Sequence, residues 1–215
     1  MFVYDKPNHK PASYTVLNFV VKDIDEAVDA FRKSYAISEE LEDDRSLAMV
    51  LNSLGGVLQR QGKFDEAVDA FRRSYELLLE LGDSRGQAMV LNSLGGVLQR
   101  QGKLAESFEA FRISIAIGEK LRDRRHLAMV HTSFGRALLR TDRQAAVKEL
   151  RDGFEFDAAL HNRKGIGIVA PILVETLLKL GRVKEAAEIC DRALAIVAGD
   201  PRLLRLHREI DGRLE

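Results

Sequence analysis

A verbatim internal duplication constrains the fold of this chain more than any other feature. Residues 49–63 read MVLNSLGGVLQRQGK, and residues 89–103 repeat the same string 40 positions later. The string DEAVDAFR also occurs twice, at residues 25–32 and 65–72. A long internal period is typical of stacked supersecondary units that are each too small to bury an apolar face alone. The sequence therefore predicts a repeat protein.

The apolar pattern within one unit predicts a pair of helices packed as a hairpin. The anchor residues of the unit are Leu51, Leu54, Gly55, Leu58, Ala67 and Phe71. Leucines three or four positions apart form one apolar stripe along a helix. A glycine or alanine on that stripe lets the paired helices approach closely. Each unit is therefore expected to be a helical hairpin.

This spacing resembles the tetratricopeptide signature, in which W-x2-L-G-x2-Y is followed by A-x3-F, with leucines here in place of the tryptophan and the tyrosine. The turn at residues 80–83, ELGD, is similar to the long-repeat branch of that family found in kinesin light chains, Pins-type polarity adaptors and bacterial regulator arrays. The resemblance runs from Asp25 to the C-terminus. It implies an all-α fold, an α-α superhelix (TPR solenoid).

We expect three regions along the chain. A short extended or β N-terminal arm occupies residues 1–23, the array residues 24–199, and a C-terminal capping helix residues 200–215. The array comprises a half repeat at 24–43 and full repeats at 44–83, 84–123, 124–162 and 163–199.

Capping and turn residues predict helices near 45–61, 64–82, 85–101, 104–122 and 125–141. Asp44 is expected to open one of these helices and Asp65 to cap the next. Asp200 and Pro201 form a cap and proline pair that opens the last helix. Pro171 falls inside the first helix of the last repeat, so this helix is expected to kink or to start late.

The N-terminal arm lacks the helical pattern of the repeats. Residues 14–21 read YTVLNFVV, a β-branched and aromatic run that predicts an extended strand. A lone apolar strand leaves its backbone groups unpaired and is a template for another chain. We therefore expect Val16–Val21 either to pack along the array or to mediate a homodimer.

The stretch 11–28, PASYTVLNFVVKDIDEAV, also resembles a strand-to-helix passage of vicinal-oxygen-chelate proteins such as glyoxalase and bleomycin-resistance relatives. That fold needs paired βαβββ modules to build its metal site. Nothing after residue 28 supplies them, so we carry over neither a metal nor an activity.

Composition excludes several classes of function. Lys plus Arg and Asp plus Glu both number 33, so no global field recruits nucleic acid. No apolar run approaches the roughly 18 to 20 residues of a membrane span, and residues 1–10 lack the zones of a signal peptide. Cys190 is the only cysteine, which excludes an intrachain disulfide and favours a small buried hydrophobe. We expect a cytoplasmic protein.

By the resemblance, the exposed face of each first helix lines a concave groove at fixed offsets from the signature glycine. The peptide-binding residues expected there are Asn52, Gly56, Gln59, Arg60, Asn92, Gly96, Gln99, Arg100, Thr132, Arg136 and Arg140, flanked by Met49, Met89, Met129 and Leu139. An amide side chain donates and accepts hydrogen bonds, which is what an extended peptide backbone needs. The alternative is that an ancestral repeat was copied whole and that the copied residues have no role.

Two successive glycines occur in each duplicated helix. A glycine costs a helix about 1 kcal/mol relative to alanine. Gly55 and Gly95 are explained by packing within the hairpin. Gly56 and Gly96 are expected to face the groove, where a missing side chain lets a ligand come close.

Cationic residues are expected along one side of the groove, at Arg60, Arg100, Arg140 and Lys179. A cation in the last helical turn is favoured by about 0.3 to 1 kcal/mol from the helix dipole alone. Arg136 is not covered by that explanation, because its predicted helix runs to residue 141. Together these residues favour an acidic peptide. The carboxylate clamp of chaperone adaptors is not reproduced, because Gly56 and Gly96 stand where it requires side chains.

No catalytic constellation is found in the sequence. Residues 56–63 do not form a phosphate loop, because five residues separate the glycines and Phe64 follows the lysine. No histidine pair has the i, i+4 spacing of a helical metal site. His131 replaces Leu51 at a packing position and is read as a core or rim histidine. We expect no catalytic residue, no metal and no cofactor.

The leading hypothesis is a non-catalytic scaffold whose concave groove binds a peptide or helix of a partner protein. One alternative is a regulatory sensor that binds a small ligand or signal peptide and changes its curvature. A second alternative is an enzyme related to vicinal-oxygen-chelate proteins, which predicts a bound metal. We expect no nucleic-acid or membrane partner.

Overall fold

Residues 24–214 are described by the structure, a computed structural model. Within that range the chain forms ten α-helices and no β-strand, which confirms the all-α class. The helices are α1 (Ile24–Glu40), α2 (Asp44–Arg60), α3 (Phe64–Glu80), α4 (Ser84–Arg100), α5 (Leu104–Leu121), α6 (Arg124–Leu138), α7 (Arg143–Ala159), α8 (Arg163–Lys179), α9 (Val183–Ile196) and α10 (Pro201–Leu214). The predicted arm at residues 1–23 and its dimer contact lie outside this range.

Aspartates placed one residue before the first helix of a hairpin cap that helix. The side chains of Asp43, Asp83 and Asp123 each accept a hydrogen bond from the backbone N–H three residues later. The expected cap at Asp65 is wrong. Helix α3 begins at Phe64, and the preceding Lys63 makes no side-chain cap. Asp65 therefore lies in the first turn, where the helix dipole stabilises its negative charge.

The described residues fall into two compact units, with the boundary between Leu81 and Gly82. In the first unit, α2 packs against both α1 and α3. A side chain at Gly55 would place its Cβ 2.8 Å from the ring of Phe71, which is buried in α3. The close packing expected of this glycine is confirmed.

The second unit contains three hairpins, α4–α5, α6–α7 and α8–α9, followed by α10. Helix α6 contacts both α4 and α8, so the first helices of successive hairpins are neighbours. The close approach seen at Gly55 recurs at Gly95 against Phe111, and at Gly135 against Leu150.

Helix α10 closes the C-terminal end of the second unit by packing against α8 and α9. Asp200 Oδ1 accepts hydrogen bonds from the N–H groups of Arg202 and Leu203, as the aspartate and proline pair predicts. Three apolar side chains of α10 are buried, namely Leu203, Leu206 and Ile210. They join a core that α7, α8 and α9 also supply.

Two helices differ from their predicted form. Helix α6 ends at Leu138 rather than residue 141. The repeat at 124–162 is one residue shorter than the 40-residue period, and this one-residue deletion brings the Asp142 cap of α7 forward. Helix α8 begins at Arg163 and includes the buried Pro171, so the late start predicted for it is wrong.

Candidate functional site

The residues predicted to bind a peptide lie on α2, α4 and α6 or just after α6. Arg60, Arg100, Arg136 and Arg140 are exposed, Asn52, Gly56, Gln59, Asn92, Gly96 and Gln99 are half-buried, and Thr132 is buried. Three flanking methionines are also open to solvent, since Met49, Met89 and Met129 are 55%, 46% and 44% exposed. Large apolar side chains at this exposure are available for contact with another molecule.

The amide oxygens of Asn52 and Asn92 have a shared property. Each Oδ1 atom is enclosed by protein, yet finds no hydrogen-bond donor within the described residues. An unsatisfied buried acceptor costs about 1 to 3 kcal/mol, and most such atoms in folded proteins are paired. The same unpaired acceptor therefore occurs at the same place in both copies of the duplicated helix.

Gly56 differs from its neighbour Gly55. A Cβ at Gly56 would meet no atom within 4 Å, whereas one at Gly55 would press on Phe71. Packing inside the hairpin therefore explains the first glycine and leaves the second unexplained. The space over Gly56 is open to an approaching ligand.

The third hairpin along the chain is α6–α7, after α2–α3 and α4–α5. In it, Thr132 occupies the position of Asn52 and Asn92, and its side chain is hydrogen-bonded. Its Oγ1 donates to the carbonyl oxygen of Ala128 at 2.9 Å. The equivalent carbonyl oxygens in the two earlier hairpins accept from a serine of the partner helix. Ser74 Oγ donates to the Ala48 carbonyl, and Ser114 Oγ donates to the Ala88 carbonyl. Gly153 stands at the serine position of the third hairpin and leaves the carbonyl to Thr132.

The account of the four predicted binding arginines, Arg60, Arg100, Arg136 and Arg140, needs one correction. Arg136 lies in the last turn of α6, because this helix ends at Leu138, and Arg140 follows it. The helix dipole therefore accounts for Arg136 as it does for Arg60 and Arg100, and does not account for Arg140. None of these four arginines forms an ion pair with another residue in the range 24–214.

Buried titratable groups elsewhere in the second unit are structural. Burial raises the pKa of the Cys190 thiol to about 11, which confirms a small buried hydrophobe rather than a reactive thiol. Burial also lowers the pKa of His126, whose Nε2 lies 2.8 Å from Ser114 Oγ.

The structure also brings together three polar side chains that the sequence did not single out as a set. His131 of α6 is buried, as expected of a core histidine, and its Nδ1 lies 2.7 Å from Glu149 Oε2. Asp152, one turn further along α7, adds a carboxylate. Each of the three side chains offers one atom that could bind a metal ion, and these atoms all lie within 4.8 Å of one another. Ligand spacing along one helix does not reveal this set, because its residues come from two helices.

Repeated helical hairpins, with a glycine against an aromatic ring in α2–α3 and again in α4–α5, define the class of helical-hairpin repeat proteins. Two family models, each described as a tetratricopeptide repeat, match residues 16–80 and 52–120. Residues 16–120 are therefore similar to tetratricopeptide repeats. No curated protein sequence matches it.

Solved structures share this fold. A putative kinesin light chain from Podosopora anserina with nearly identical TPR-like repeats superposes with a TM-score of 0.64 at 21% identity, over 83% of this chain and 89% of that one. BtubC (BKLC) from P. vanneervenii gives 0.64 at 20% identity, over 89% and 76%. YrrB, described as a TPR protein with an unusual peptide-binding site, gives 0.55 at 17% identity, over 85% and 86%.

Among the described helices, none combines the length and apolar character needed to cross a lipid bilayer.

Proposed function

We propose that this chain is a non-catalytic protein-interaction scaffold that binds a peptide or helix of a partner protein on the faces of α2, α4 and α6. Tetratricopeptide repeats are generally scaffolds of this kind, and the match of residues 16–120 to such repeats supports the coarse function. The finer proposal, that the face of α2 in the first unit and the faces of α4 and α6 in the second bind peptide, rests on the side chains they present.

The observation that carries the proposal is the pair of unsatisfied amide oxygens at Asn52 and Asn92. A peptide backbone offers N–H donors, and rotation of each half-buried asparagine side chain toward solvent would let one such donor satisfy its oxygen. The same atom is left unpaired in both copies of the duplicated helix. A ligand that supplies donors accounts for both.

The open space over Gly56 supports the same ligand. An extended backbone can lie close to a helix only where side chains are missing, and a Cβ here would meet no protein atom within 4 Å. The glycine costs α2 about 1 kcal/mol relative to alanine, and close approach of a ligand is a reason to keep it.

The charge of these faces favours an acidic ligand. Arg60, Arg100, Arg136 and Arg140 are exposed and have no carboxylate partner within residues 24–214. Unpaired guanidinium groups bind carboxylates well, because their planar forks match carboxylate geometry. The exposed methionines at Met49, Met89 and Met129 add adaptable apolar contacts, so the proposed ligand carries both acidic and apolar residues.

YrrB provides a parallel, since it shares the fold and is described as having an unusual peptide-binding site. That description belongs to YrrB, and at 17% identity it supports only the capacity of the fold to bind a peptide.

The proposal is tested with a synthetic array of acidic-apolar, basic and neutral peptides, probed with the untagged full chain. We expect acidic-apolar peptides to be retained, and Asn52→Ala plus Asn92→Ala to weaken their binding by about tenfold or more, since each lost hydrogen bond contributes about 1 kcal/mol. The matched control is Ser53→Ala plus Ser93→Ala, which changes neighbouring residues whose hydroxyls bond within their own helices. Equal binding by both double variants would overturn the assignment of the asparagines.

A further inference from the structure

A cavity of about 720 Å³ lies between α5, α6 and α7 of the second unit, and it shares no residue with the proposed peptide-binding set. Phe108, Ile115, Phe134 and Leu138 form its apolar wall. His131, Glu149 and Asp152 face it from α6 and α7. The cavity thus combines an apolar wall with a small convergent polar group, which is the usual composition of a binding site.

The three polar side chains are arranged so that their ligand atoms could coordinate one metal ion, and we call them the donor set. Their ligand atoms, one imidazole nitrogen and two carboxylate oxygens, all lie within 4.8 Å of one another. Zinc bonds to these atom types are about 2.0 to 2.2 Å long, so ligand atoms around a tetrahedral ion stand roughly 3.4 Å apart. Small side-chain rotations would bring the set to that spacing. The His131 and Glu149 side chains are only 11% and 14% exposed, which limits competition from water.

Charge around the set favours a cation. Two carboxylates face a single imidazole, so the three groups carry a net charge of about −2 when the histidine is neutral and −1 when it is protonated. The other charged groups that line the cavity are Arg112, Glu119, Asp142 and Lys148, which balance one another. The excess negative charge is therefore local to the three converging side chains.

The other repeats provide an internal comparison. The positions of His131, Glu149 and Asp152 are occupied by Leu51, Ala70 and Arg73 in the first full repeat and by Leu91, Ala110 and Ile113 in the second. In the first unit the equivalent groove is lined by Leu51, Ala70 and Arg73. Repeat packing is therefore satisfied without any of these donors, and all three ligating residues enter together in one repeat.

We propose that His131, Glu149 and Asp152 bind a divalent transition-metal ion, and that Zn²⁺ fits this donor set. One imidazole and two carboxylates suit zinc, whereas Mg²⁺ and Ca²⁺ prefer oxygen ligands alone. Three protein ligands leave a fourth position, which would face the cavity and accept water or a ligand side chain.

The test is a calorimetric titration of the chelator-treated, untagged full chain with ZnCl₂ at neutral pH. We expect one ion per chain, and a visible absorption spectrum of four-coordinate Co²⁺ when cobalt replaces zinc. His131→Leu, which installs the residue of the two other repeats, should weaken binding by at least about 100-fold, because loss of even an indirect support costs 10- to 100-fold.

Two variants keep the test decisive. Glu149→Gln preserves the shape of the side chain and removes its charge, so it should also weaken zinc binding even if His131→Leu unfolds. His207→Leu is the matched control, because His207 lies between the carboxylates of Asp191 and Asp211 on the exposed side of α10. It should leave zinc binding unchanged. Undiminished affinity in both His131→Leu and Glu149→Gln, or loss of binding only in His207→Leu, would overturn the proposal.

Discussion

Thr132 Oγ1 donates a hydrogen bond of 2.9 Å to the carbonyl oxygen of Ala128, four residues earlier in the same helix. The equivalent carbonyl groups at Ala48 and Ala88 accept instead from serines of the partner helix. The third hairpin has thus exchanged a bond between helices for one within a helix. Gly153 leaves room for the Thr132 side chain, since a Cβ at position 153 would lie only 2.7 Å from Thr132 Oγ1.

The exchange predicts strong coupling between positions 132 and 153. Gly153→Ser alone should lower the free energy of unfolding by about 1 to 3 kcal/mol, because the added atoms crowd Thr132 in a buried contact. Adding Thr132→Asn recreates the asparagine and serine pair of the earlier hairpins and should recover most of that loss. Urea unfolding of both single variants and the double variant gives the coupling energy. Additive losses would show that the two positions do not interact.

Gly55 and Gly56 predict opposite effects from the same substitution. Gly55→Ala should lower stability by about 1 to 3 kcal/mol, because its Cβ would lie 2.8 Å from the buried Phe71 ring. Gly56→Ala should raise stability by roughly 1 kcal/mol, because its Cβ meets nothing and alanine favours the helix. The urea midpoints of the two variants measure the difference, each serving as the control for the other.

Gly56→Ala has a second expected effect. Under the proposed function it should weaken retention of acidic peptides while making the protein more stable. A variant that gains stability and keeps full peptide binding would show that the ligand does not approach this glycine.

His126 predicts a loss of stability in mild acid. Ser114 Oγ donates to the Ala88 carbonyl oxygen, so His126 Nε2 donates to Ser114, and Nδ1 is left without a partner among the described residues. Burial lowers the pKa of His126, while the charge of Asp123 partly opposes the shift. Because the folded pKa lies below the ordinary value of 6.5, the stability contribution is full above pH 6.5 and is lost as the pH falls toward the lowered pKa.

The check is the urea midpoint of wild type and His126→Gln across this pH range. Glutamine can donate to Ser114 without titrating, so the variant should lose less stability on acidification. Parallel curves for the two proteins would show that His126 does not drive the acid response.

Periodicity made the hairpin fold predictable, because a glycine opposite an aromatic ring has a physical role that recurs every 40 residues. The prediction that Gly55 packs closely within its hairpin is confirmed by its approach to Phe71. Details that depend on a single residue were less accessible. The prediction of a cap at Asp65 is wrong because an acidic residue of the first turn and an acidic N-cap look alike in sequence. Only the backbone geometry distinguishes these two positions.

The donor set in the third hairpin could not be predicted from spacing along one helix. His131 lies on α6, whereas Glu149 and Asp152 lie on α7, and the one-residue deletion shifts the second helix relative to the repeat period. A comparison of aligned repeats position by position would have shown three ligating residues in place of non-ligating ones. The unpaired amide oxygens of Asn52 and Asn92 are a different case, since only coordinates show which polar atoms lack partners.

Asp157 predicts a gain of stability when its charge is removed. This carboxyl group is buried in α7, and burial raises its pKa, although Asn162 Nδ2 donates to it at 2.7 Å. A raised folded pKa means that the stability contribution is full at low pH and is lost as the pH rises through that pKa. Gly165 keeps the site tight, since a Cβ there would collide with the carboxylate.

Asp157→Asn keeps an acceptor for Asn162 without the charge. Its stability relative to wild type should therefore be near zero or slightly negative in acid and increase toward neutral pH, as measured by urea midpoints. Asp69→Asn, at an exposed carboxylate of α3, is the matched control and should show no such trend. A variant that is less stable than wild type at neutral pH would mean that the carboxylate is stabilised by its partners more strongly than burial destabilises it.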